Sequence, residues 1–132
     1  MARTSKKLTN ALLELIMMCN DTGVCVKFDS PCDPENKQEL YGIFDAGMRQ
    51  IIIYKDRTAS ITPSTIFSLA HEFRHARQYL EMYQPSYWIY AIAATGKVRQ
   101  DVKDEIERDA DAYAETFLLE RKIPVPKRMV EG

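Results

Sequence analysis

His71-Glu72-Phe73-Arg74-His75 is the stretch on which the reading of this chain turns. It contains both of the chain's histidines, spaced i and i+4 around a glutamate. In an α-helix those positions lie one turn apart on the same face, so two imidazoles converge on one point from a single rigid element. Glu72, about 100° round the helix, looks into the same cleft without competing as a ligand. Zinc suits such a site: it accepts neutral imidazole nitrogen, takes four ligands and, when catalytic, keeps one position for water. A carboxylate beside that water can take its proton during attack on a carbonyl. The plain alternative, two surface histidines beside a glutamate, leaves their one-turn spacing unexplained.

Two histidines do not complete a catalytic zinc site, so a third protein ligand is required. No histidine is left, which removes the pattern H-E-x-x-H-x-x-G-x-x-H: Gln78 and Glu81 stand where its Gly and final His would be. Cys19, Cys25 and Cys32 lie far upstream, in what reads as a helix, a strand and a loop. Carboxylates remain, in the strongly helical run from Asp104 to Glu115. Glu107 and Asp111 are spaced i, i+4 there and share one stripe. Glu107 is the candidate metal ligand, and Asp111 the candidate acceptor for the second N–H of a ligand histidine. Such a bond fixes the ring tautomer and raises its basicity. Taken alone, so acidic a run is more simply a solvated face with pairs such as Asp104 with Arg108. The motif helix upstream shifts the balance toward ligands.

Together, His71-Glu72-Phe73-Arg74-His75 and Glu107-Arg108-Asp109-Ala110-Asp111-Ala112-Tyr113-Ala114 resemble the ImmA/IrrE family of zinc metallopeptidases. These belong to the gluzincins, of which thermolysin is the familiar member. In that family the H-E-x-x-H helix is followed by a helix carrying E-x-x-A-[DN]-x-[FY]-A, whose glutamate is the third ligand. The lead-in also fits, with Ile51-Ile52-Ile53, a polar connection, and Thr65-Ile66-Phe67-Ser68-Leu69-Ala70 running into His71. Phe117-Leu118-Leu119 and Pro124 match the family's apolar ending, so the resemblance spans residues 48 to 124. Arg74 departs from it, at a position usually small and uncharged. The resemblance implies an α+β, zincin-like fold, with a small sheet against helices and a hairpin within it. It implies one catalytic Zn²⁺ on His71, His75 and Glu107, Glu72 as general base, and hydrolysis of a peptide bond in a protein substrate. Family members often cleave a repressor or transcriptional regulator in bacteria, their phages or mobile elements.

A length of 132 residues reads as a single domain, 1–132, with room for a real core. A net charge of −1 offers no electrostatic footprint for direct nucleic acid binding, so the expected partner is a protein or peptide substrate. The three cysteines lack C-x-x-C spacing and read as reduced thiols of a cytoplasmic protein, and the resemblance implies a bacterial or phage-infected host. Arg3, Lys6 and Lys7 before Ala11 to Met18 superficially imitate an export signal. Glu14 interrupts the apolar stretch and no small-x-small site follows, so an amphipathic helix is expected. Tyr87 to Ala94 is too short to span a bilayer, and no membrane association is expected.

The pattern predicts a helix from Thr9 to Asn20, a strand from Val24 to Phe28 and a loop from Asp29 to Glu35. Leu40 to Phe44 and Gln50 to Tyr54 read as a hairpin through Asp45-Ala46-Gly47. The motif helix should start near Pro63 with Thr62 as cap, run to Met82, and bury Phe67, Ala70 and Phe73. Beyond Pro85, a short helix over Tyr87 to Ala94 precedes a long one from Asp101 to Arg121, whose core stripe is Ile106, Ala110, Tyr113 and Phe117. The strand Ile51 to Tyr54 is expected to offer an exposed edge beside the motif helix, where an extended peptide adds. An oxyanion needs a further donor, for which Tyr79 and Arg74 are the candidates. A deformylase would take its third ligand from E-G-C-x-x, unlike Pro31-Cys32-Asp33. An SprT-like protease would want a third histidine and a basic surface. The alternative from another class is a catalytically silent zinc-binding interaction module, or a phage structural or regulatory component.

Overall fold

Alternation along Gln50–Tyr54 sets the layers of the molecule. The structure, a computed structural model, describes residues 5–29, 42–55, 60–82 and 100–126. Three strands form one sheet in the order β1-β3-β2: β1 is Cys25–Asp29, β2 Gly42–Asp45 and β3 Gln50–Tyr54. β1 runs parallel to β3, with Val26 opposite Ile51 and Phe28 opposite Ile53. β2 runs antiparallel, with Gly42 opposite Ile53 and Phe44 opposite Ile51. Opposed residues share a face, so Val26, Phe28, Phe44, Ile51 and Ile53 line one side of the sheet. Ile51 and Ile53 are fully buried on it.

This arrangement corrects one expectation: β3 is the central strand and offers no edge. β1 occupies its other side, because the alternate apolar residues of the two strands cover the same face. The hairpin itself is as expected. Asp45 Oδ1 accepts the Met48 N–H at 3.2 Å inside its turn, and Arg49 takes the positive φ of 49° that reverses the chain.

Helix α1, Lys6–Asp21, starts before Thr9 because the Ser5 hydroxyl caps it, accepting from Leu8 N–H at 3.2 Å. Its buried stripe is Ala11, Leu12, Leu15 and Cys19, the spacing of an amphipathic helix. At its end Gly23 takes a φ of +83°, which turns the Val24 N–H back onto Cys19 O at 2.8 Å and feeds β1. Helix α2, Pro63–Arg77, begins where Thr62 and Pro63 predict, with Thr62 and Thr65 in a reciprocal cap. Phe67, Ala70 and Phe73 are buried, and so are Thr65, Ile66, Ser68 and Leu69. α2 is thus the middle of the molecule, touching α1, β2 and β3 and packing most extensively on the last helix. It ends in a π-helical turn, Gln78–Met82, which replaces the continuous helix expected there.

Helix α3, Gln100–Glu120, buries Ile106, Ala110, Ala114, Phe117 and Leu118. Tyr113 is half-buried, packed between Phe73 and Phe117. Arg121 closes the far end, forking onto Glu14 of α1 and lying over the Phe117 ring, 3.5 Å from its centroid. The described residues therefore form an α+β fold of three helices on a small three-stranded mixed sheet. The expected helix over Tyr87 to Ala94, Cys32 and most of the expected loop lie outside them. No helix among the described residues is long and apolar enough to cross a membrane.

Gly42 of β2 faces α2 across a tight gap. A Cβ there would lie 2.9 Å from Ile53 Cδ1, 3.2 Å from Ile52 O and 3.4 Å from Glu72 Cγ. Gly42→Ala should therefore destabilise the fold by about 1–3 kcal/mol, the usual range for overpacking. Denaturant melts of the two proteins measure it, and coincident midpoints would contradict the close approach.

Candidate metal centre

Helix α2 delivers both imidazoles to its α3 side. His75 is buried and His71 nearly so, with ring centroids 4.6 Å apart and planes almost perpendicular. Their Nε2 atoms lie 3.1 Å from each other. Glu107 of α3 sets one carboxylate oxygen against each: Oε2 is 3.2 Å from His71 Nε2, and Oε1 is 3.1 Å from His75 Nε2. His71, His75 and Glu107 thereby form a possible metal-binding triad. Glu107 is 43% exposed while the rings are sheltered, so the triad opens toward solvent on the Glu107 side.

Each ring turns its other nitrogen away from this point. Asp111 Oδ1 lies 2.8 Å from His71 Nδ1. That contact is an ion pair when the ring is protonated, without the alignment of a good hydrogen bond. His75 Nδ1 is 2.7 Å from Gln78 Oε1. Gln78, wholly buried, was not among the residues singled out by sequence. Its only signal was position, three residues after His75 and one helical turn away. Gln78 Nε2 reaches Ile106 O at 3.0 Å and Asp109 Oδ2 at 2.8 Å.

Arg74, the residue that departs from the family pattern, turns to α3. Its Nε is 2.8 Å from Asp109 Oδ2, its terminal nitrogen 3.3 Å from Oδ1, and its guanidinium lies 5.4 Å from the Tyr113 ring centroid. Burial works against ionisation of Asp109, but hydrogen bonds from Arg74 and Gln78 outweigh it and hold the carboxyl below its ordinary range. Tyr79, in the π-turn, packs edge-on against Phe44, with centroids 5.9 Å apart.

Glu72 stands on the floor of the site, 12% exposed, with Oε2 3.8 Å from His71 Nε2. Burial is the main influence on its carboxyl and pushes its pKa up to about 6. The neighbouring histidines and a hydrogen bond from the backbone of Phe44 act in the opposite direction. The same burial disfavours charge on His71, yet Asp111, Glu107 and Glu72 outweigh it and raise its pKa to about 10. His75 is also raised, against its burial, by Glu107 and Glu72. Glu107 is itself partly desolvated, but the two rings hold it well below the usual carboxylate range. The cluster is thus an anionic pocket that demands positive charge, from protons or from a cation.

The structure brings together four of the side chains singled out by sequence around one point, His71, Glu72, His75 and Glu107, with Asp111 behind His71. Comparison with family models, with curated proteins and with solved structures finds no match to this chain.

Protons and a metal ion compete for the same nitrogen atoms. Because the His71 pKa is raised to about 10, the metal-free His71 ring holds its proton around neutral pH and must release it on binding, and His75 is shifted in the same direction. Affinity for added Zn²⁺ should accordingly rise with pH, and calorimetry in buffers of different ionisation enthalpy should register about one or more protons released per ion. Binding without proton release would contradict the charged cluster.

Proposed function

We propose that this chain is a zinc-dependent peptidase of the zincin type, acting on a protein or peptide substrate. The observation that carries the reading is the convergence of the two Nε2 atoms and the Glu107 carboxylate beside the buried carboxyl of Glu72. The two Nε2 atoms lie 3.1 Å apart, each faces a different oxygen of Glu107, and one ligand atom from each residue lies within 4.8 Å of the others. An ion about 2.0–2.1 Å from each donor places them roughly 3.3 Å apart. The donor set, two imidazoles and a carboxylate, is that of a catalytic zinc with a fourth position open. Two further features support it: both Nδ1 atoms face acceptors, as ligand histidines require, and the open side leads to solvent.

His71, His75 and Glu107 would hold the ion. When bound there, zinc supplies Lewis acidity, which polarises a carbonyl and makes water a nucleophile near neutral pH. The rest is the work of the chain. Glu72 accepts the proton of the attacking water and returns it to the leaving amine, so its carboxyl has to ionise and reprotonate within one turnover. In the metal-free site burial raises its pKa to about 6, a direction that favours proton uptake. An extended substrate would add to β2, the edge strand beside α2 among the described residues. Arg74 is engaged with Asp109, which leaves Tyr79 as the better candidate for an oxyanion donor.

Elemental analysis should find one equivalent of zinc on the wild type and on Glu105→Ala, whose side chain is exposed, and a loss of zinc in Glu107→Ala. Equal loss in the two variants would count against the ligand assignment. Glu72→Gln should keep the zinc and the fold while lowering cleavage of a peptide library, read by mass spectrometry, by about 10²- to 10⁴-fold. Equal cleavage by the zinc-loaded wild type and Glu72→Gln, or none by either, would favour a silent zinc-binding module.

A further inference from the structure

Gln78 is 0% exposed, and both ends of its amide are engaged. One end meets Ile106 O at 3.0 Å and Asp109 Oδ2 at 2.8 Å. A backbone carbonyl and a carboxylate can only accept, so that end is the NH₂ group, with one hydrogen for each. The other end is therefore the oxygen, an acceptor, and it lies 2.7 Å from His75 Nδ1. An acceptor at that distance requires the hydrogen on Nδ1. In the neutral ring the lone pair then sits on Nε2, the atom that faces Glu107 and His71.

The amide cannot flip without setting its oxygen against two other acceptors. Asp109, in turn, is fixed by the two-pronged contact from Arg74. Arg74 and Gln78 stand one turn apart on the face of α2 that meets α3, and α3 supplies both acceptors, Ile106 O and Asp109. We infer that Gln78 is a positioning residue of the metal centre: locked by Asp109 and Arg74, it holds His75 in the tautomer that offers Nε2 to the ion. This deepens the metal reading above and rests on it. It also gives Arg74 a task within the motif, three hydrogen bonds removed from His75 through Asp109 and Gln78. The two histidines are thereby held differently, His71 by the charged Asp111 and His75 by a neutral amide that adds no further anion beneath the site.

The test uses the intact chain loaded with Zn²⁺. Long-range proton–nitrogen NMR of the wild type should place hydrogen on His75 Nδ1 and the metal on Nε2. Gln78→Met, which keeps length and shape but removes both polar ends, should weaken Zn²⁺ affinity by about 10- to 100-fold in chelator competition and speed solvent exchange of the Nδ1 proton. Asp109→Ala, at a partly exposed position that leaves the core intact, should weaken affinity severalfold, because Ile106 O still holds one amide hydrogen. If Gln78→Met does not fold, Asp109→Ala decides by the same two readouts. A merely structural role for Gln78 would lower the melting temperature of the metal-free protein and leave both readouts unchanged, which would overturn the inference. So would metal on His75 Nδ1. A wild type that takes up no zinc would instead overturn the metal reading, and the inference with it.

Discussion

Two imidazoles one turn apart on a buried helix must share a point in space, and that point has to be satisfied from outside the helix. The satisfaction comes from α3, which turns Glu107, Asp109 and Asp111 toward the His71, Arg74, His75 and Gln78 side of α2. The same two helices carry the apolar core, through Phe73 against Tyr113 and through buried Ile106 and Ala110. Polar site and hydrophobic core are thus two stripes of one interface. An uncompensated charge along that seam would penalise the packing itself, since burial without partners is among the more costly events in a fold.

The sheet sets the opposite wall. Ile51 and Ile53 give α2 an apolar seat, and β2 at the edge brings a backbone group within reach of Glu72. Gly42 permits this approach because it has no side chain to stand between strand and helix. The Glu72 carboxyl is therefore held by the strand, while the helices bring His71, His75 and Glu107 together. Its raised pKa is a product of that enclosure.

Much of this was legible in the chain. Thr62-Pro63 marked the start of α2, and the i, i+4 spacings of His71 with His75 and Glu107 with Asp111 put each pair on one stripe before any contact was known. Where the reading failed, the cause was physical. Apolar periodicity starts a helix at its first apolar turn, so α1 was read from Thr9 although Ser5 caps it a turn earlier. Ile51-Ile52-Ile53 marks an apolar strand but not its lateral neighbours, and only the pairing of Val26 and Phe28 with Ile51 and Ile53 makes it central rather than an edge. Gln78 and Asp109 escaped because a neutral amide and an acid in an acidic run look like solvated surface until a second helix lies against them. The π-turn has no local signature; it widens the helix where Gln78 turns inward, and shifts Tyr79 from the face that the α period assigns to it.

The chain order of these parts bears on how the molecule assembles. The β2–β3 hairpin and α2 are contiguous and close through short loops, so a strand pair and both imidazoles can form early and cheaply in entropy. The parallel pairing of β1 with β3 and the docking of α3 on α2 join segments far apart in sequence, and such contacts form late. The two imidazoles are then prearranged by local structure, and Glu107 joins them only through a long-range docking. An ion held between α2 and α3 would act as a cross-link between segments far apart in the chain.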